Sequence, residues 1–322
     1  MTEQFGRFWK LKIKDREGAF DFDIEQDGFG NSLRCQFEIN ASRDLRFYSG
    51  VIKVFNLEPT KRKQLVFNQL REDFGKGPLA QLTAGYQENN GLIFNGAVHR
   101  GYTIREIQGG DYITILQVGI PFKYDKKITI DPQPINDNNL LGFLKKAIDK
   151  ILNQPDRISI NKAQNYETNF ETAINDFLST GNIANKTLGY HGTSIKIIGD
   201  IEEEFNIKFF QDHNGFNVVG GKFATSSDPR TPITLPQGNT VPEITFNKET
   251  GLIGSPIYTD TGAKFFVYLR PEIKMFQFVR VESDVLTKNV SIQSLIHRGD
   301  NRGDEWFSEI DASNFNQLIR NK

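Results

Sequence analysis

The chain has 322 residues, 39 Lys and Arg against 40 Asp and Glu for a formal charge of -1, and a single cysteine, Cys35. A chain of this length buries roughly three quarters of its unfolded surface and divides into two or three cores more readily than it builds one. The balanced charge excludes a general attraction to phosphate backbones or anionic lipid, and one cysteine excludes an intrachain disulfide framework and fits a reducing compartment.

From residue 7 to residue 119, apolar and polar residues alternate in short runs: RFWKLKIKD, AFDFDIEQ, LRCQFEIN, GVIKVFNL, LAQLTAGYQ, GLIFNGAVH, YTIREIQ and DYITILQVG. Alternation with period two marks half-buried strands. The 27 Phe, against 2 Met and 2 Trp, point to strand faces filled with flat aromatic bulk. Asp27-Gly28, Asn90-Gly91 and Gly109-Gly110 can supply positive φ where strands reverse. Cys35, inside LRCQFEI, reads as a half-buried strand residue and not as a reactive thiol. Between FNLEP and AGY, Pro59 and Thr60 open a short helix over TKRKQLVFNQL, packed across one end of the barrel or sheet.

The pattern changes after Pro132. Leu141, Leu144, Ile148 and Ile151 share one stripe of LLGFLKKAIDKIL, with lysines opposite, which predicts an amphipathic helix. A second helix is predicted in FETAINDFLSTG, where Phe170, Ile174 and Phe177 recur at helical spacing and Gly181 supplies the stop. A third starts near Thr193 or Ser194, with Ile195, Ile198, Ile201 and Phe205 on one face, and leads into a hairpin of NIKFFQD, the turn HNG, and FNVVGG. From residue 220 to 242 the chain turns to Gly, Ser, Thr and four prolines, an extended surface stretch. Strand alternation returns in EITFNKE, KFFVYLRPEI, QFVRVES, NVSIQSLIHRG and EWFSEIDAS. The expected domains are 1–128, mainly β; 129–222, α+β; and 223–322, again β.

No constellation for catalysis, cofactor or metal binding stands out. His99, His191, His213 and His297 are each isolated, without HExxH or a cysteine partner. His99 is expected at a strand end and His213 in a hairpin turn, both in solvent or turn roles, and His297 as a hydrogen-bonding residue at a strand end. Gly28 and Gly30 lack the third glycine and following helix of a dinucleotide loop, and phosphate-loop and GxSxG patterns are absent. The two RGD tripeptides, Arg298 to Asp300 and Arg302 to Asp304, read as a turn closing the last hairpin, and Glu202, Glu203 and Glu204 as a solvated helix face. Asp21, Asp23, Glu25 and Asp27 alternate along one strand face, with Phe20, Phe22 and Ile24 opposite. As a calcium loop this run fails, because Gln26 stands where glycine is needed and Ser32 where the bidentate glutamate belongs. Residues 1–18 mix charge and aromatics without a signal-peptide pattern, and no run is long and apolar enough for a membrane-spanning helix, so synthesis and folding in the cytoplasm is expected.

Three blocks of sequence resemble the baseplate hub proteins of bacteriophage tails. The first is an IKVFNL strand, a Thr-Lys/Arg turn and a short helix (Asn56, Leu57, Thr60), followed by AGY (Ala84, Gly85, Tyr86) and IFNG (Ile93, Phe94, Asn95, Gly96). The second is SIKIIGDIEEEFNIKFFQDHNGFNVV, similar to the small domain inserted in that family. The third comprises GLIGSPIYTDTGAKFFVYLRPEIK and VSIQSLIHRGDNRGDEWFSEIDA, with Gly254, Pro256, Leu269, Pro271, His297, Gly299, Asp300 and Trp306 carrying most of the likeness. Residues 125–192 match no part of the family.

The resemblance implies a mainly β fold in which two tube-like β-barrel domains flank a mixed helical and hairpin domain. It implies a homotrimer at the virion tail baseplate, three subunits presenting six alike faces to a sixfold tail tube and three to a central spike. The implied partners are the tail tube or distal tail protein, the spike and neighbouring baseplate proteins, with DNA touched only non-specifically during ejection. In that setting Asp21, Asp23, Glu25 and Asp27 would form a lumen-facing strand whose charge keeps DNA from adhering. No catalytic residue and no cofactor are called for. Two other readings remain open at this stage: a tail-associated peptidoglycan or glycan hydrolase working with a carboxylate pair, and a carbohydrate-binding β module.

Overall fold

The computed structural model describes residues 6–15, 18–25, 33–42, 48–68, 77–107, 109–119, 127–152, 162–180, 186–213, 215–220, 244–259 and 262–314. Two compact units form, one from Met1–Pro121 with Glu243–Asn314, the other from Phe122–Pro242 with Phe315–Lys322.

In the first unit, burial follows the alternation of the sequence. Strand β1 (Arg7–Lys14) buries Trp9, Leu11 and Ile13, and β3 (Cys35–Ser42) buries Cys35, Phe37, Ile39 and Ala41. Around them stand β2 (Asp21–Glu25), β4 (Ser49–Phe55), β6 (Leu79–Tyr86), β7 (Asn89–Arg105) and β8 (Tyr112–Gly119). The runs GLIFNGAVH and YTIREIQ, expected as two strands, form the single 17-residue β7. A register shift between Val98 and Arg100 lets its first half pair with β6 and its second with β8, since a bulge bends a strand without ending it. Asn90-Gly91 lies inside β7 and not in a turn. The reversal is at Gln87 and Glu88, after Gly85 at φ 149, where a Cβ would meet the Asn89 carbonyl at 2.3 Å. The turn at Asp27-Gly28 lies outside the described residues.

Helix α1 (Pro59–Gln64) opens with Pro59 in its first turn, as expected, but is shorter than the sequence pattern, because β5 (Phe67–Asn68) leaves it to pair with Gly101 and Arg100 of β7. The carboxy-terminal strands are β13 (Ile244–Phe246), β14 (Leu252–Thr259), β15 (Gly262–Tyr268), β16 (Phe278–Glu282), β17 (Thr287–Asp300) and β18 (Trp306–Asn314).

These strands join in one 14-stranded sheet among the described residues, running β14, β15, β18, β17, β3, β4, β8, β7, β6, β1, β2, with β13, β16 and β5 attached beside this path. The sheet is open, ending at β14 and at β2. The two tube-like β-barrels implied by the resemblance are therefore not the architecture. Closure requires strand number, tilt and stagger to agree over a whole sheet, a sum that no local alternation encodes. The first and last thirds are not separate sheets either, because β17 pairs antiparallel with β3 from Ser294 opposite Ser42 to Asp300 opposite Gln36.

A polar node at the β17–β18 turn fixes that junction. Arg34 grips Asp300 with two hydrogen bonds, Nε to Oδ1 at 3.2 Å and Nη2 to Oδ2 at 2.7 Å, and Gln36 Nε2 donates to Oδ2 at 2.8 Å. The Arg302 N–H donates to Oδ1 at 3.0 Å, and Arg7 donates to the carbonyls of Asp300, at 2.8 Å, and Gly303. Asn301 accepts from the Cys35 N–H at 2.8 Å and donates to the Leu33 carbonyl at 3.1 Å. Trp306, buried, donates from Nε1 to the Gly85 carbonyl of β6 at 3.0 Å. Gly299 is required beside this node, since a Cβ there would stand 2.2 Å from the Phe37 ring. Burial raises the Asp300 pKa, but the hydrogen bonds from Arg34, Gln36 and the Arg302 N–H outweigh it and hold the carboxyl at about 2.

In the second unit, β9 (Lys127–Ile135) pairs with β10 (Lys186–Thr193), neither of which the sequence pattern revealed. Helix α2 (Leu140–Leu152) buries Leu144, Ile148 and Ile151 as expected, with Leu140 and Phe143 in place of the half-buried Leu141. Helix α3 (Tyr166–Thr180) begins four residues before Phe170, and its expected stop at Gly181 lies outside the described residues. Helix α4 (Ser194–Phe205) is capped by Thr193, whose side chain accepts from the Lys196 N–H, and ends at Asn206 in the left-handed region. The hairpin of β11 (Ile207–Asp212) and β12 (Gly215–Gly220) follows. Rings of Tyr166, Phe170, Phe209 and Phe216 pack at centroid distances of 5.3 to 6.1 Å. The prolines of 220–242 lie outside the described residues.

Two predictions follow from the node. Asp300 has a folded pKa below its unfolded value near 3.9, so its ionised form stabilises the fold fully above that value, and the contribution is lost as pH falls toward about 2. Asp300→Asn is expected to cost about 1–2 kcal/mol at pH 7, since Arg34 is partly solvated, and to cost progressively less below about pH 4. Urea midpoints measured from pH 2 to 7 check this, and an equal loss at every pH would contradict it. Cys35 is fully buried and burial raises its pKa, so Ellman's reagent should react with the unfolded chain and not with the native one.

Candidate functional site

The two ends of the sheet differ in chemistry. At the β2 end, Lys10 pairs with Asp23 at 3.0 Å and Lys14 with Asp21 at 3.7 Å, while Lys61 Nζ lies 5.5 Å from the Phe22 ring centre. Asp21 and Asp23 are exposed, and Ile24 is buried on the opposite face. Of the other two acids expected on this face, Asp27 lies outside the described residues, as does the side chain of Glu25. An edge carrying charges of both signs resists pairing with a foreign strand.

At the other end, β14 has the sequence LIGSPIYT, without a charge. Among the described residues it pairs only with β15, and its register skips between Ile253 and Ile257. Ile257 and Tyr258 are 55% and 60% exposed. Lys264, Phe266 and Tyr268 of β15 share one face by the strand period, and Phe266 meets Phe307 edge to face at 5.7 Å. Of the devices that keep strand ends from recruiting partners, this edge carries Pro256 and the register skip but no charged side chain.

Beside the start of β14 is a cleft of about 630 Å³. Its wall includes Tyr86 and Tyr268, edge to face with centroids 6.1 Å apart, together with Gly251, Glu88, Glu249 and Arg270. Arg270 is held by Glu272 at 2.6 Å and by the Thr250 carbonyl at 3.2 Å, and Asn89 donates to the same glutamate at 3.3 and 3.4 Å. The cleft thus presents two aromatic rings at its wall and exposed carboxylates of Glu88 and Glu249 at its rim.

The β7–β8 hairpin also exposes apolar side chains. Ile107 is fully exposed and Ile104 44% exposed. Asn56, at φ 55, anchors the base of the hairpin by donating to Asp111 at 2.9 Å and accepting from the Tyr112 N–H at 3.0 Å. The guanidinium carbons of Arg62 and Arg105 stand 3.9 and 5.5 Å from the Tyr112 ring centre.

The remaining residues singled out in the sequence have structural partners. His99 lies inside β7, not at a strand end, and burial lowers its pKa. His191 Nδ1 is 2.8 Å from Thr129 Oγ1, and the buried His297 is 2.8 Å from Ser308 Oγ within β17 and β18. His213 sits in the β11–β12 turn. Glu202 accepts from the Phe209 N–H at 2.7 Å and Glu204 from the Tyr190 hydroxyl at 2.8 Å, so these two are more than a solvated helix face. Among the described residues, no group of three or more His, Cys, Asp or Glu is arranged to hold a metal ion, and no helix is long and apolar enough to cross a membrane.

The sequence matches no protein-family model, and no curated protein matches it either. Solved structures do match the fold. One is the tail protein from Neisseria meningitidis MC58, 8% identical, with 95% of this chain and 96% of that one superposed at a TM-score of 0.51. Another is the 43 kDa tail protein of prophage MuSo2 from Shewanella oneidensis, 11% identical, with 96% and 99% covered at a TM-score of 0.50. Over nearly its full length, then, the chain shares the fold of these two tail proteins.

Proposed function

We propose that the chain is a structural protein of a phage-type tail, a homotrimeric baseplate hub that adapts a sixfold tail tube to a threefold spike and forms part of the DNA ejection channel. The observation that carries this reading is the fold shared from end to end with two tail proteins, with almost nothing left over on either side. The hub blocks of the sequence support the finer assignment, because Gly299, Asp300 and Trp306 are the residues that build the node joining the two halves of the sheet. A trimer of this chain would meet a sixfold tube through the two arms of each sheet: β14, β15, β18 and β17 on one side of the junction, and β3 through β2 on the other.

In this reading the protein is not an enzyme. Its partners are the tube or distal tail protein, the spike and neighbouring baseplate proteins, and its place is the virion tail after assembly in the host cytoplasm. The acidic run of Asp21, Asp23, Glu25 and Asp27 faces the lumen, where negative charge repels passing DNA.

Negative-stain imaging of the purified protein, alone and co-expressed with tube and spike proteins, is expected to show a threefold ring with a central hole, and the preparation should leave cell-wall suspensions turbid. A monomer that clears peptidoglycan would replace this reading with a hydrolase. Reversing the four strand acids to lysine should slow DNA ejection from assembled tails while rings still form, and ejection at the wild-type rate would remove the lumen assignment.

A further inference from the structure

The cleft beside β14 draws its walls from two distant stretches of chain, the β6–β7 turn on one side and Glu249 to Gly251 with the end of β15 on the other. Both walls are held from behind. Asn90 donates to the carbonyls of Tyr86 at 3.2 Å and Gln87 at 3.1 Å, which fixes the turn. Gly251, at φ 101, lies against Tyr268, where a Cβ would stand 2.9 Å from the ring carbon Cδ2. Arg270 is engaged at Nε by Glu272 and at Nη1 by the Thr250 carbonyl, and its guanidinium carbon stands 5.9 Å from the Phe246 ring centre. A recess whose groups are already placed loses little conformational freedom when it takes a ligand.

Its volume of about 630 Å³ is that of a small-ligand site, and its chemistry is mixed. Tyr268, 38% exposed, and Tyr86 supply aromatic surface. Among the described residues Arg270 keeps Nη2 as a donor, the Gln87 amide both donates and accepts, and the exposed carboxylates of Glu88 and Glu249 accept. An anion is repelled, because the Arg270 charge is answered by Glu272 while Glu88 and Glu249 are not so answered. An acyl chain would strip water from these polar groups without replacing it. A cation would satisfy the carboxylates but brings no acceptor for the N–H groups of Arg270 and Gln87 in the same walls. A sugar meets all of these demands, since its hydroxyls donate and accept, and its C–H face suits the negative face of a tyrosine ring.

We propose that the Tyr86–Tyr268 cleft binds a short neutral saccharide, with a pyranose C–H face against Tyr268, hydroxyls accepting from Arg270 and hydroxyls donating to Glu88 and Glu249. The site binds and does no chemistry. This goes beyond the hub reading and does not depend on it, since every residue of the cleft belongs to one unit of one copy.

Calorimetric titration of the full chain with maltotriose, cellotriose, mannotriose, globotriose and triacetylchitotriose is expected to show binding of at least one, with an affinity that added salt leaves unchanged because the ligand is neutral. Tyr268→Ala should weaken that binding about tenfold, whereas Tyr268→Phe, which keeps the ring, should hold it within about twofold. Unchanged circular dichroism and thermal midpoint in Tyr268→Ala separate a lost contact from a misfolded chain, and Glu249→Gln, an exposed change of the same shape, should weaken binding without touching the ring. No heat from any of these sugars at millimolar concentration, or binding that Tyr268→Ala leaves intact, would overturn the site. Binding of tetramethylammonium or trilysine in place of the sugars, abolished by salt or by Glu249→Gln, would overturn it in favour of a cation. Threefold rings that take up no sugar would leave the hub reading standing, and a sugar-binding protein that stays monomeric at every concentration would remove the hub and keep the cleft.

Discussion

Asp300 closes a contact between residues 266 positions apart when it accepts both hydrogen bonds of Arg34. The sheet depends on that closure, because among the described residues β17 and β3 are the only neighbours along its path that join the early and late parts of the chain. A shift of the ladder by one residue would turn the buried face of β3 outward, so alternation already specifies the register. The node adds a polar lock at one end of it. Arg34, Gln36 and the Arg302 N–H all converge on one carboxylate, Asn301 binds the backbone at Leu33 and Cys35, and Gly299 admits the Phe37 ring to a place where no Cβ fits. The carboxylate stays ionised despite burial because it is fully answered by donors, the condition under which a buried charge specifies structure without unfolding it.

The strands were largely legible in the sequence because each depends on local alternation. β1, β6 and β8 fall inside the predicted runs, β3 and β4 overrun theirs by two residues and by one, and the α2 and α4 stripes follow from 3.6-residue spacing apart from Leu141 and Ile195, whose places Phe143 and Ile197 take. What sequence could not show was set by distant partners. β7 became one strand because both β6 and β8 bind it, and α1 stopped early because β5 is captured by Gly101 and Arg100. β9 contains Pro132 and Pro134, which disguise a strand that has its single partner in β10. The expected barrels failed for the same reason on a larger scale, since closure is a property of the summed register and the β17–β3 junction spans most of the chain.

The candidate site was less legible than the fold. LIGSPIYT reads as a short apolar run, and only the sheet order shows that it lies at an open end with Ile257 and Tyr258 uncovered. Tyr86 and Tyr268 are 182 positions apart and meet because the β6–β7 turn approaches the end of β15. The one available signal was the density of Gly, Pro and aromatic residues in GLIGSPIYTDTGAKFFVYLRPEIK, which marks backbone approaching backbone but not which face stays open.

The unequal edges bear on how such a chain avoids random aggregation while still assembling. A sheet of this width has two ends that can recruit strands, and charge is the cheapest deterrent. Here the β2 end carries Lys10 and Lys14 paired with Asp23 and Asp21, so a strand added at this edge would meet charged side chains already engaged with one another. The β14 end has no charge, but Pro256 and the register skip between Ile253 and Ile257 interrupt the regular edge that an indiscriminate strand would need. An edge that is apolar but irregular favours a partner shaped to it over a partner that merely hydrogen-bonds.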